Sequence, residues 1–549
     1  MKTTKILFMA ALGMLFLTSC DKEVMNWYTD PDKGAVTTAE LPLGLAEKIL
    51  RYDVLKSYTD FTLGVGMDMD MYMASDSTYR HLINANFDEI TVGYAMKHGA
   101  MVNSKGVINF TNVDALIAKV KSAGLTVYGH TLVWHSNQNA TYLNGLIAPA
   151  VSYTNLLSNG TFESGISGWG AYNGNAPTAT TTSYAGSGAM QVINATSNAG
   201  SQWKQQIHAN LTTTLTSGSV YTVSYYIRSD AAGSVRCSTS GGTAHYQADQ
   251  TTSTNWTLIS WDITSNGAET GLNFDLGQVA GTYYIDNVLV ALKSSPTVDK
   301  TDAEKKQIIG DALTAWITGM VTHFKSSIKA WDVVNEPMNE DGTVRDGSAA
   351  TTASDQFYWQ KYLGKDYAVT AFKLARTLGN TGDKLFINDY NLESNLTKCD
   401  GLINYVKYIE SQGATVDGIG TQMHISISTD TLKIDQMFIK LAASGKLIKV
   451  SELDVKVNTA TPTTDNLAAQ AAMYQYVAKS FIKNIPKAQR YGITIWGISD
   501  NAVEHVNWIP NDAPNLWDAN YARKHAYKGV ADGLAGKDVS AGFSGNLQY

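Results

Sequence analysis

Trp331-Asp332-Val333-Val334-Asn335-Glu336-Pro337 is a short apolar run that turns polar at its end and stops on a proline. Such a run reads as a fully buried strand with its carboxylate at the C-terminal mouth. Val450-Ser451-Glu452-Leu453-Asp454 has the same form. Working outward, four further runs repeat it: Leu125 to His135, ending His130-Thr131-Leu132-Val133-Trp134-His135; Leu385 to Asn391, ending Asn388-Asp389-Tyr390-Asn391; Gly418 to His424, ending Gln422-Met423-His424; and Ile493 to Asp500, carrying Trp496. Helical patterns such as Asn112 to Lys121 lie between runs of this kind, and that alternation marks an α/β fold with a parallel sheet. An eight-stranded TIM barrel, with its chemistry at the strands' C-terminal ends, is the expected fold.

The texture changes twice along the chain. Between residues 153 and 295 the sequence is rich in Ser, Thr, Gly and Asn, with short alternating runs such as Tyr221 to Ile227 and Thr282 to Val288. This block reads as an all-β sandwich of jelly-roll type inserted into the barrel. Neither flank alone can close a barrel, whereas together they amount to about 360 residues, enough for one. A long insertion in a βα loop costs little in entropy. The expected division is a signal peptide (1–19), an anchor linker (20–40), a first barrel segment (41–152), the sandwich (153–295) and a second barrel segment (296–540).

The chain has 549 residues, 42 basic against 49 acidic, with a formal net charge of -7. That balance offers no basic surface for nucleic acid and suits a neutral polymer. The 12 Trp and 29 Tyr supply the flat amphipathic rings on which sugars stack, although most such rings serve the core. Lys2 and Lys5 precede an apolar stretch from Ile6 to Leu17, then Leu17-Thr18-Ser19-Cys20. The stretch is too short to span a bilayer and fits an export signal. The small residues before Cys20 resemble a bacterial lipobox, which implies cleavage there, acylation of Cys20 and a protein tethered to the outer membrane or cell surface by lipid alone. The other two cysteines, Cys237 and Cys399, fall in different expected domains and read as small hydrophobes, not as a disulfide.

Two carboxyl groups roughly 5 to 5.5 Å apart are what a retaining glycosidase needs, one as proton donor and one as nucleophile. Glu336 and Glu452 end two strands that a barrel can bring together. The nucleophile must be ionised, and His424 with Asp454 behind it is suited to orienting Glu452. A neighbouring anion opposes ionisation of the proton donor until that anion is esterified, so one pair serves both half-reactions.

In these motifs the sequence resembles glycoside hydrolase family 10, the retaining endo-β-1,4-xylanases. The order G-H-T-L-V-W-H, W-D-V-V-N-E, N-D-Y-N, G-x-G-x-Q-x-H, S-E-L-D and W-G-x-x-D runs through both flanks. The resemblance implies that Glu336 is the general acid/base and Glu452 the nucleophile, and that Asn335 bonds the sugar 2-hydroxyl. It implies that Lys97 and His130 hold the glycone sugars, that Trp134, Trp496 and Trp508 form walls, and that Gln422, Tyr390 and Asn388 surround the cleft. It implies no cofactor for catalysis, xylan or arabinoxylan as the polymer partner, and a monomer. The chain departs from the family pattern T-x-E-N-x-M-K-W, reading Thr91-Val92-Gly93-Tyr94-Ala95-Met96-Lys97-His98. The Q-x-P-x-W stretch is also replaced, by Ser136 to Ala140. Catalysis is expected to persist, with altered distal glycone binding. Alternatives are action on another β-glycan and a surface glycan-binding lipoprotein without catalysis.

The inserted block resembles carbohydrate-binding modules of families 4, 9 and 22, through Asn155 to Glu163, Gly168-Trp169 and Tyr284 to Val288. That resemblance implies a glycan cleft and a structural calcium. Glu163 and Asp286 are the expected calcium ligands, and Trp169, Tyr172, Trp203 and Tyr246 the candidate stacking rings.

Overall fold

A computed structural model describes residues 40–546 apart from 76, 152, 295–296, 349–352 and 507. The expected export signal and Cys20 lie outside the described residues. The chain forms two compact units: Ile147–Glu304, and the segments on either side of it.

In the flanking unit eight strands, Thr62–Met67, Glu89–Val92, Thr126–Val133, Ile328–Asn335, Lys384–Asp389, Gly418–Thr421, Leu447–Lys456 and Arg490–Trp496, pair in parallel with their sequence neighbours. Thr62 pairs with Gly492, so the last strand returns to the first and the barrel closes. Each strand is followed by a helix, from Thr78–Asn86 to His525–Ala535. Helix Thr111–Ser122 shows why: Val113, Leu116, Ile117 and Val120 recur at helical spacing and are buried. The insertion leaves the connection between the third strand and its long helix, Asp302–Phe324.

The strands are buried on both faces, which is why they read as apolar runs without alternation. Aromatic rings occupy the space beside glycines on neighbouring strands. A Cβ on Gly129 would lie 2.1 Å from Trp331 Cε3, and one on Gly66 2.3 Å from Trp496 Cε3, so the second glycine seats a cleft tryptophan. The Lys449, Glu89, Tyr128 and Asp332 groups inside the barrel are paired, whereas the buried Thr91 and Thr494 hydroxyls have no partner among the described residues. Lys449 Nζ lies 3.0 Å from Glu89 Oε1 and 3.1 Å from the centre of the Tyr128 ring, and the Tyr128 hydroxyl donates to Asp332 Oδ1 at 2.7 Å.

The inserted unit is an antiparallel sandwich of two five-stranded sheets. Strand Val220–Ser229 alternates strictly, burying Tyr221, Val223, Tyr225 and Ile227 in the core. Cys237 and Cys399 are both buried and unbridged, and burial raises both thiols, Cys399 to about 12.

Candidate active site

The strand ends converge on a cleft of about 670 Å³ lined by Lys97, His130, Trp134, Asn335, Glu336, Gln422, His424, Glu452, Trp496 and Trp508. Ten of the sequence-selected residues thus share one cavity. Glu336 adopts a φ of 52°, a left-handed turn costly for a glutamate, and its N–H donates to the Asn388 carbonyl at 2.7 Å. This bend ends the strand just before Pro337.

A chain of side-chain amides links the two carboxylates. Asn388 Nδ2 donates to Glu452 Oε1 and to Asn335 Oδ1, both at 2.9 Å, while its Oδ1 accepts from Ser451 Oγ at 2.6 Å. Gln422 Nε2 then donates to Glu336 Oε1 at 3.1 Å, and its contact with Asn335 Oδ1 is 3.4 Å. Each amide is therefore fixed in one orientation by the acceptors around it. On the far side of Glu452, His424 Nε2 stands 3.4 Å from Oε2, and His424 Nδ1 lies 2.7 Å from Asp454 Oδ2.

The electrostatics make the two glutamates unequal. Burial works to raise Glu452, but the hydrogen bond from His424 and the charges of His130, His424 and Lys97 outweigh it and bring it to about 2. Burial likewise works to lower His424, and Asp454 with Glu452 pushes it up to about 10. At neutral pH the pair is carboxylate and imidazolium. Burial lowers Lys97, against the opposing pull of Glu452 and Glu336, and its Nζ sits 4.3 Å over the Trp134 ring.

Other residues act from behind. Asp332 Oδ2 lies 2.8 Å from His130 Nδ1 and orients that ring. Sequence reasoning did not single it out, although a charged residue inside an apolar strand four positions before Glu336 signals a buried partner. Tyr390 lies outside the cavity. Its hydroxyl accepts from Arg345 at 2.6 Å, Arg345 Nε donates to the Glu336 carbonyl at 2.9 Å, and Lys398 Nζ stands 3.3 Å over the ring. Gly93, which lines the same cavity, leaves open space, since a Cβ there would meet only the Met67 carbonyl, at 3.4 Å; Tyr94 beside it is 57 % exposed.

The inserted unit corrects one expectation. Trp169 is a core residue: its ring stacks on Phe274 and its Nε1 donates to the Asn159 carbonyl at 2.7 Å, so it offers no face to a ligand. The carboxylates of Glu163 and Asp286, the expected calcium ligands, accept hydrogen bonds from one loop. Ser187 N–H and hydroxyl donate to Glu163 Oε2 at 2.9 and 2.8 Å, and the N–H groups of Tyr184 and Ala185 donate to Asp286 Oδ2 at 2.8 and 3.2 Å. The two carboxylates clasp one loop, and among the described residues no group of three or more His, Cys, Asp or Glu could hold a metal.

Tyr172, Trp203 and Tyr246 are 58, 48 and 63 % exposed. Tyr172 stacks on His208 at 4.0 Å, His208 Nδ1 lies 2.8 Å from Asn273 Oδ1, and Asn273 Nδ2 donates to Ser238 Oγ at 3.4 Å. Arg236, 5.1 Å from the centre of the Tyr246 ring, is held by Asp275 at 2.7 Å. Because Ile207, Phe274 and Cys237 of the same strands face the core, this polar row with tyrosines at its ends lies on the opposite face of the sheet.

Residues 53–159 and 289–533 match the family profile described as glycosyl hydrolase family 10, and residues 154–276 match the one described as carbohydrate binding domain. The chain belongs to glycosyl hydrolase family 10. Within relatives of this family-10 chain, an exoglucanase XynX of Acetivibrio thermocellus is 34 % identical over 245 residues, 43 % of this chain and 20 % of that protein. Endo-1,4-beta-xylanase A of Halalkalibacterium halodurans is 32 % identical over 277 residues, 46 % of this chain and 65 % of that one. The chain thus spans less than two thirds of these curated relatives. Among solved structures, an intracellular xylanase of Thermoanaerobacterium saccharolyticum is 21 % identical, with a TM-score of 0.52, 87 % of this chain and 98 % of that chain being covered. The family-10 barrel fold is shared with it.

Proposed function

We propose that the chain hydrolyses internal β-1,4-xylosidic bonds with retention of configuration, by two displacements at Glu452 and Glu336. The observation that carries this reading is the amide-linked carboxylate pair, one member of which is held ionised by an imidazolium. In the first step a Glu452 oxygen attacks the anomeric carbon as the bond to the leaving oxygen breaks, and Glu336 gives that oxygen its proton. Esterification removes the neighbouring anion, so Glu336 then takes a proton from the water that cleaves the ester. The Asn388 and His424 donors fix the carboxylate of Glu452, and the 2-hydroxyl of the bound sugar falls to Asn335. The expected result is release of short xylo-oligosaccharides from xylan and arabinoxylan, with the β-anomer formed first by proton NMR. Release from mixed-linkage β-glucan alone, or from nothing, would instead favour a changed substrate or a glycan-binding protein. The open space at Gly93 favours a substrate that differs on the glycone side.

The inserted unit is proposed to hold the same polymer across Tyr172, His208, Asn273, Arg236 and Tyr246. Two exposed rings at the ends of a polar row suit the flat faces and edge hydroxyls of a sugar chain. Replacing both Tyr172 and Tyr246 by alanine should weaken xylan binding by about tenfold. Titration in a Glu452→Ala background would measure it, and unchanged affinity would remove this face from consideration.

Export and lipid anchoring through Cys20 are proposed from Lys2, Lys5, the apolar stretch and the residues before Cys20. Cys20→Ala should shift the protein out of the membrane fraction and abolish incorporation of labelled fatty acid. Equal labelling of both forms would contradict the anchor.

A further inference from the structure

Trp508 does more than face the cleft. Its indole Nε1 donates to Asp454 Oδ2 at 2.9 Å, the same oxygen that lies 2.7 Å from His424 Nδ1. Asp454 is fully buried, and its Oδ1 has no hydrogen-bond partner among the described residues. The side chain therefore depends on two donors, one from the histidine that serves the nucleophile and one from the tryptophan. The Trp508 and His424 rings also pack, with centres 4.5 Å apart. The loop that carries Trp508 is fastened at several points. Glu504 accepts from the N–H groups of Ile498 and Ser499 at 2.7 and 2.9 Å and from the Tyr79 hydroxyl at 3.0 Å, and His505 Nδ1 lies 2.9 Å from the Trp508 carbonyl. An indole used only to stack on sugar needs neither the hydrogen bond nor a fixed loop.

We propose that Trp508 is a positioning residue for the nucleophile, acting through Asp454 and His424 on Glu452. This rests on the two-displacement reading given above. Without the indole N–H the buried carboxylate loses one of its two donors, its charged form is disfavoured, and it draws the Nδ1 proton it shares with His424 towards itself, so that the ring loses imidazolium character. Glu452 is the group depressed by that imidazolium, so its charged form is retained above its lowered value and lost as pH falls through it. Weakening the imidazolium raises the pH at which activity is lost on the acid side. The other charged or titratable groups facing this pair are Lys97, His130, Glu336, Glu393 and Tyr474, and replacing Trp508 alters none of them.

The test is the pH dependence of kcat/KM for wild type, Trp508→Phe, Trp508→Tyr and Asp454→Asn on soluble xylo-oligosaccharides, with melting temperatures to establish folding. Both Trp508 variants keep an aromatic wall and lose the N–H. The expected result is an acid limb raised by about one pH unit in each, with kcat reduced more than KM is raised, and a larger shift of the same sign in Asp454→Asn. A raised KM with an unmoved acid limb in folded Trp508 variants would overturn the proposal and leave a stacking wall. Failure of the underlying reading would look different: Glu452→Ala would then keep its activity whatever Trp508 does.

Discussion

Glu452→Ala is expected to lower kcat on xylan by roughly 10⁵-fold, equivalent to about 7 kcal/mol of barrier. The loss is this large because Glu452 is the carboxylate that the His424 imidazolium holds ionised. Asn388 and His424 both spend a donor on Glu452, and neither can attack carbon. Glu452→Gln, which keeps the shape and removes the charge, should be nearly as inactive, since an amide does not form the glycosyl ester. Truncation also strands the buried Asn388 donor, a cost of about 1 to 3 kcal/mol, and the half-buried His424 donor, so the melting temperature should fall in the alanine variant more than in the glutamine one. Reducing-sugar release together with a thermal melt separates the chemical loss from the structural one. An alanine variant that keeps more than about a hundredth of wild-type kcat would mean that Glu452 is not the nucleophile.

How much of this site is legible in the sequence depends on what kind of force places each residue. The barrel strands are readable because burial on both faces leaves uninterrupted apolar runs, and the residue that ends each run must stand at the mouth. That places Glu336, Glu452, Gln422, His424 and Trp496 in one cavity. The bridging role of Asn388 depends on which amide its neighbours hold, and only packing decides that. Asp332 sits within the run from Trp331 to Pro337, but its partners His130 and Tyr128 are some two hundred positions away, on a strand beyond the insertion. In the sandwich the difficulty is parity. Trp169 and Tyr172 are three residues apart on one strand, so they face opposite ways, and composition alone does not say which of the two is the core. Glu163 and Asp286 have the acidic chemistry of a cation site, and the amide donors of loop 184–187 that bond them come from a segment the sequence does not mark as their partner.

Glu336→Ala should behave differently from Glu452→Ala, and the difference tests the division of labour between them. Where the leaving group is a sugar alkoxide the missing proton is needed, and kcat is expected to drop by about 10²- to 10⁴-fold. A nitrophenyl xylobioside leaves without a proton, so the first displacement should stay fast in the variant. The second step still lacks its base, because a neutral water must then attack the ester unaided. The glycosyl ester should accumulate, giving a burst of nitrophenol equal to the enzyme present and a KM far below the wild-type value. A small anion such as azide needs no base, so adding it should restore turnover and yield a β-glycosyl azide. The vacated volume next to Asn335 and Gln422, both of which bond or approach Glu336 Oε1, is where such an anion would enter. Equal losses on both substrates, with no burst and no rescue, would place the proton transfer on another group, and the amide chain between the two carboxylates would then need a different explanation.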